Sequence, residues 1–200
     1  VPRAFEEGER EQIRARLLGA AEDALAGAGP RKTRVEALTR AAGISKGAFY
    51  LFFPSREALW AELALAREAG RRVALRAELH RDGPDRLSRV LGALLRSLVD
   101  DPLLRALAEP AEAAWVAAAW PEEAARAARG DDPGFVEALF DGLVERGAAR
   151  EDGRDVFLAM PALAVGLARQ RAALGDRGPV LVGTLVAALA RELEPRRARR

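Results

Sequence analysis

Residues 33–59 read TRVEALTRAAGISKGAFYLFFPSREAL, and this stretch decides the fold. Thr33, followed three residues later by Glu36, has the form of a capping box: the threonine oxygen takes an orphan amide of a first helical turn and the glutamate reaches back. A helix is expected from 34 to about 43, where Gly43 supplies a left-handed turn. Ser45 caps a short helix over 46–52, and Pro54 ends it because proline has no amide and disfavours helix in the residue before it. Ser55 then caps a longer helix through Leu59, Trp60, Leu63 and Ala66 toward Leu79.

Two short helices joined by Ala42-Gly43-Ile44 have the proportions of a helix-turn-helix, whose second helix lies in the DNA major groove. Ile44 is expected to plug the turn into a core of Val35, Leu38 and Phe49. The charge agrees with a nucleic-acid partner. Between Arg31 and Arg56 stand six basic residues (Arg31, Lys32, Arg34, Arg40, Lys46 and Arg56) against Glu36, a local excess of +5 in a chain whose net charge is +2.

The pattern TxVxxLxxxAGISxGxFYxxFPSREAL over these residues resembles the DNA-binding domain of the TetR family of bacterial repressors, and the likeness covers roughly residues 9–65. The resemblance implies an all-α protein with a three-helix DNA-binding domain over 1–54. A helical regulatory and dimerisation domain would follow over 55–195, the helix from 55 bridging the two, with a disordered tail over 196–200. It also implies that Lys46, Ala48 and Tyr50 point toward double-stranded DNA, and that Thr33 and Arg56 hold backbone phosphates. Gly47 would let the backbone approach the groove. One position departs from the pattern: Phe52 stands where the family usually has Tyr or His and cannot donate to a phosphate, so that contact is expected to be lost or moved to Arg34 or Arg56.

The rest of the chain reads as helix, since Ala, Leu, Arg and Glu fill nearly every segment. A first helix is expected over 9–28, stopped by Gly29 and Pro30. Leu87, Val90, Leu91, Leu94, Leu95 and Leu98 form a 3.6-residue stripe ended by Asp100, Asp101 and Pro102. A shorter helix from Leu103 runs into the Trp115 and Trp120 region, and a polar Ala/Arg helix restarts at Pro121 and fails at Gly130. Phe135, Val136, Leu139, Phe140, Leu143 and Val144 mark the next, closed by Gly147.

The last two helices, 156–174 and 180–193, are apolar round most of their circumference, with Pro161 kinking the first. Such helices need two buried sides, one of which a second copy of the chain can cover. A homodimer is expected, with Val186 and Leu189 facing outward.

With 200 residues, 50% hydrophobic and 31% charged, the chain can bury its own core. It has no cysteine and one histidine, His80, so thiolate metal sites and Cys/His nucleophile pairs are excluded and a His-based triad is disfavoured. No cofactor or metal is expected. The acidic start around Glu6, Glu7, Glu9 and Glu11 is unlike a signal peptide and no apolar run suits a membrane span, which predicts the cytoplasm.

Together these readings predict a homodimeric repressor that binds an inverted-repeat operator and is released by a small apolar effector, with no catalysis. Trp115, Trp120, Phe140, Phe157 and Met160 are the candidate ligand residues, with Arg105, Glu109, Glu112, Arg169 and Gln170 as nearby polar groups. Two alternatives stand beside it: a structural or division factor of the same fold without a ligand, and an all-α enzyme or carrier for an apolar substrate.

Overall fold

Apolar residues at helical spacing close into two separate cores, and one long helix belongs to both. A computed structural model of the protein describes residues 6–25, 27, 29–120 and 133–195, which are helical with no strand among them. The expected polar helix after Pro121 and the tail over 196–200 lie outside the described residues.

The first core is built by α1 (Glu7–Ala24), α2 (Val35–Ala42), α3 (Lys46–Phe49) and the first half of α4 (Arg56–His80). Ile13, Leu17, Leu38, Phe49, Phe53, Leu59 and Trp60 are each at most 1% exposed there. At about 1.5–3 kcal/mol for each large side chain buried, this cluster is what holds three short helices in place. Arg14 of α1 braces it from outside: Nε donates to Glu62 Oε1 of α4 (2.8 Å), Nη1 donates to the Phe52 carbonyl (3.0 Å), and the guanidinium covers the Phe53 ring.

The second core gathers Leu75 and Leu79 of α4, the stripe of α5 (Arg86–Val99), α8 (Pro133–Glu145), α10 (Met160–Arg169) and α12 (Arg177–Leu193). Asp100 ends α5 and Asp101 starts α6 (Pro102–Leu107), its Oδ1 accepting the amides of Leu103 (2.8 Å) and Leu104 (3.2 Å). Pro110 opens α7 (Pro110–Ala117). Gly147 turns the chain after α8 at φ +62°.

Several boundaries differ from the sequence expectation. The capping box does not form. Thr33 donates its hydroxyl to the Gly29 carbonyl (2.6 Å), Arg34 occupies the cap position, and its carbonyl accepts the amides of Ala37 and Leu38. Glu36 pairs with Lys46 instead.

The first helix stops at Ala24, whose carbonyl accepts the Gly27 amide (3.2 Å), because two closely spaced glycines favour a turn over continued helix. The third helix is a single turn, continued to Phe53 by bonds onto Ala48 and Phe49.

The expected helix over 156–174 is three pieces: α9 (Arg154–Leu158), α10 and α11 (Arg171–Leu174), with breaks at Ala159 and Gln170. Pro161 cannot donate to the Phe157 carbonyl, so the helix breaks at Ala159 and proline sits in the first turn of α10. Val186, expected outward, is 8% exposed and packs in the second core.

Candidate nucleic-acid interface and ligand cavity

The turn between α2 and α3 follows from Gly43, which adopts φ +72° and ψ +31° and lets the Ile44 amide donate to the Thr39 carbonyl (3.0 Å). Ile44 is half-buried against the first core. Ser45 caps α3, its Oγ accepting the Ala48 amide (3.2 Å). The outer surface of this turn carries Lys46, Gly47, Tyr50 and Leu51, all exposed, with Ala48 half-buried between them.

Tyr50 and Leu51 are 52% and 53% exposed, and Tyr50 meets the buried Phe49 ring edge to face, with centroids 5.3 Å apart. Gly47 has an ordinary helical backbone, and a Cβ there would meet nothing nearer than the Ser45 hydroxyl at 4.0 Å. The protein's own packing therefore does not require glycine at this position.

Lys46 Nζ donates to Glu36 Oε1 at 2.7 Å, with both side chains more than half exposed. Their hydrogen bond holds the Glu36 carboxyl below the usual carboxylate range and the Lys46 ammonium above its ordinary value. Arg34 is exposed beside them, whereas Phe52 is buried in the first core.

The two residues expected at phosphates sit differently. Thr33 is 3% exposed, with its hydroxyl turned to Gly29. Arg56 Nη1 donates to the carbonyls of Thr33 (2.7 Å) and Arg31 (3.0 Å), and its plane covers the Trp115 ring. Its Nε and Nη2 have no protein partner among the described residues.

The five expected ligand residues divide between three places. Phe140, Phe157 and Met160 lie in the second core, the two phenylalanine rings packed against each other 5.3 Å apart. Trp115 lies against Arg56 and the first core.

Trp120 lines a cavity of about 400 Å³ with Leu98, Leu104, Leu107, Val116 and Val165, and Arg169 stands at its edge. The volume falls in the range of small-molecule pockets. Helix α7 forms one wall with Ala113, Ala114 and Ala117, while Glu112 Oε2 on the same helix accepts the Arg31 amide (3.2 Å) ahead of α2.

Links across this joint were not visible in the sequence, because their partners lie far apart along the chain. Arg67 is another, its two Nη atoms donating to Glu22 of α1 (3.1 Å) and Asp101 ahead of α6 (3.0 Å). Among the described residues no helix is long and apolar enough to cross a membrane.

Comparison with known proteins agrees with this architecture. Residues 17–63 match the profile of bacterial regulatory proteins, tetR family. No curated protein sequence matches the chain significantly. Among solved structures, the TetR-family transcriptional regulator PfmR from Thermus thermophilus is 25% identical, covering 90% of this chain and 100% of its own, with a TM-score of 0.61.

A tetR-family regulatory protein from Rhodococcus is 20% identical over 91% of this chain and 97% of its own, with a TM-score of 0.64. RolR, solved in complex with the ligand resorcinol, is 23% identical over 96% of this chain and 93% of its own, with a TM-score of 0.56. Residues 17–63 thus match the tetR-family profile, and the chain around them has the all-helical fold seen in solved tetR-family transcriptional regulators.

Proposed function

We propose that the protein is a cytoplasmic transcriptional repressor that binds an inverted-repeat operator as a homodimer and is released when a small, largely apolar ligand enters the α5–α7 cavity. The observation that carries the reading is the position of α7. One side of this helix walls the cavity, Glu112 on it accepts the Arg31 amide ahead of α2, and Trp115 on it packs under Arg56, which donates to the Arg31 and Thr33 carbonyls. A ligand that moves α7 shifts the recognition turn with it. To take a dimer from 99:1 to 1:99 in favour of the state that cannot bind DNA, ligand must prefer that state by about 5.5 kcal/mol, shared between two sites.

The exposed apolar side chains support the dimer. Of the large hydrophobic side chains exposed among the described residues, Tyr50 and Leu51 lie on the recognition turn, Val73 lies on α4, Val165 of α10 borders the cavity, and Val156 and Val180 lie on α9 and α12. Around Val180 the outer face of α12 carries Gly183, Thr184, Ala187 and Ala188, small enough for close approach of a second copy. That RolR binds resorcinol supports a small ligand on this fold.

Selection of bound sites from random duplex DNA tests the reading directly. An inverted repeat should be enriched, and apolar compounds that quench tryptophan fluorescence should release the selected duplex. Enrichment of no symmetric sequence would refute it.

A further inference from the structure

Next to the apolar cavity lies a second space of different chemistry. It is a cleft of about 510 Å³ lined by Pro102, Arg105, Ala106, Arg171 and Gly175, and it shares Ala168 and Arg169 with the cavity. Helix α6 serves both, Leu104 and Leu107 lining the cavity while Arg105 and Ala106 line the cleft.

Three arginines therefore line the space beside the apolar cavity, and they are only partly engaged by the protein. Arg105 uses its backbone within α6, and its side chain has no ion pair or hydrogen bond among the described residues. Arg169 uses Nε on the Ala108 carbonyl (2.6 Å), which leaves its two Nη atoms available. Arg171 gives Nη1 to the Gly175 carbonyl (2.5 Å), and its buried Nε has no hydrogen-bond partner. Arg171 Nε also forms a long ion pair with the exposed Asp100 carboxylate at 3.8 Å. Neighbouring Asp101 is already held by Arg67 and by the amides of α6. On the cavity wall, Trp120 also has a buried indole N–H without an acceptor.

Clustered cations beside a pocket suit an anion better than a neutral polar group, because guanidinium bonds to carboxylate or phosphate are charge-assisted and can be bidentate. We propose that the effector is an amphipathic anion whose apolar acyl or aromatic body fills the cavity and whose carboxylate or phosphate is held by Arg105, Arg169 and Arg171. This deepens the repressor reading and rests on it. Apolar area gives the body its affinity, and the arginines select a charged head over a neutral molecule of the same shape.

The test compares decanoate, decanoyl coenzyme A and decanol as probes on the full chain bound to its selected operator, following tryptophan fluorescence and operator release. One of the two anions should bind about tenfold or more tighter than decanol, as a charge-assisted contact implies. That preference should collapse in Arg105→Gln, which removes no bond within the described protein, and further in Arg105→Gln with Arg169→Gln. Unchanged melting of the Arg105→Gln protein keeps folding out of the comparison.

A stronger effect of the thioester assigns the head to phosphate, and a stronger effect of the free acid assigns it to carboxylate. If decanol binds as tightly as both anions and releases the operator, or if the preference survives the substitutions, the anionic head is wrong while the ligand-released repressor stands. If none of the probes binds or releases the operator, the proposal is refuted together with a ligand role for this cavity.

Discussion

The guanidinium of Arg56, at the start of α4, lies over the indole ring of Trp115 in α7 at 5.1 Å from its centroid, and one of its nitrogens donates to the carbonyls that precede α2. A single side chain thus joins the entrance of the helix-turn-helix to the helix that walls the cavity. Hydrogen bonds from a charged group, cation–π attraction and a partly buried setting act together there, so the joint behaves as one mechanical element.

Arg56→Ala is expected to lower stability by about 1–3 kcal/mol in denaturant titration and to blunt ligand-driven release of operator. Arg56→Lys should not restore the coupling, because an ammonium cannot lie flat on the ring while reaching two carbonyls. Equal ligand response in wild type and Arg56→Ala would remove this joint from the mechanism.

Gly47→Ala separates a packing role from a DNA role. A methyl group there meets no close atom, and alanine favours helix over glycine by up to about 1 kcal/mol, so melting should hold or rise. Operator affinity should nevertheless fall. Tyr50→Ala should weaken binding by about 1–3 kcal/mol if it reaches a base edge, with a stability loss no larger than the Phe49 edge contact, about 0.5–1.5 kcal/mol. A melting curve and a quantitative shift assay on each variant check both.

The Glu36–Lys46 pair places an acid beside the proposed DNA surface. Glu36→Gln should release Lys46 and strengthen operator binding, whereas Lys46→Ala should reduce the log-log salt slope by about 0.9 if the amine meets a phosphate. The pH dependence follows from the direction of each shift. Glu36, depressed below the usual carboxylate range, keeps the pair intact above its unfolded value, and the pair is lost only as pH falls through the lower folded value. Lys46, shifted upward, stays charged through neutrality. This pair should therefore add no pH dependence to operator binding around neutral pH, as a shift assay from pH 6 to 8 would show.

On α12, two valines on different faces should respond oppositely to charge. Val180→Glu, alone or with Ala187→Glu, changes exposed positions and should yield folded monomers in sedimentation. Val186→Glu instead puts a carboxylate into the second core and should cost on the order of 3 kcal/mol of stability, visible in a melt before any question of assembly. An unaltered dimer after the surface changes would move the interface off this face.

Local chemistry in the sequence determined the elements nearest the DNA surface. Gly43 can take the left-handed turn, Ser45 and Ser55 cap the helices that follow them, and apolar residues three and four apart mark the buried faces of α2, α4, α5 and α8. Each depends on residues within one or two turns, so it can be read along the chain.

What the tertiary structure decided was which partners each group meets. Thr33 turned from the capping box to Gly29 because that carbonyl is brought close, and Glu36 found Lys46 across the turn instead. The cavity could not be assembled from a list of aromatic residues, since Phe140 and Phe157 fill one core while Trp115 joins the other. Its walls come from helices separated by tens of residues, and spacing along the chain carries no information about which faces oppose one another. Burial and charge pairing choose among compatible side chains only after the helices have docked.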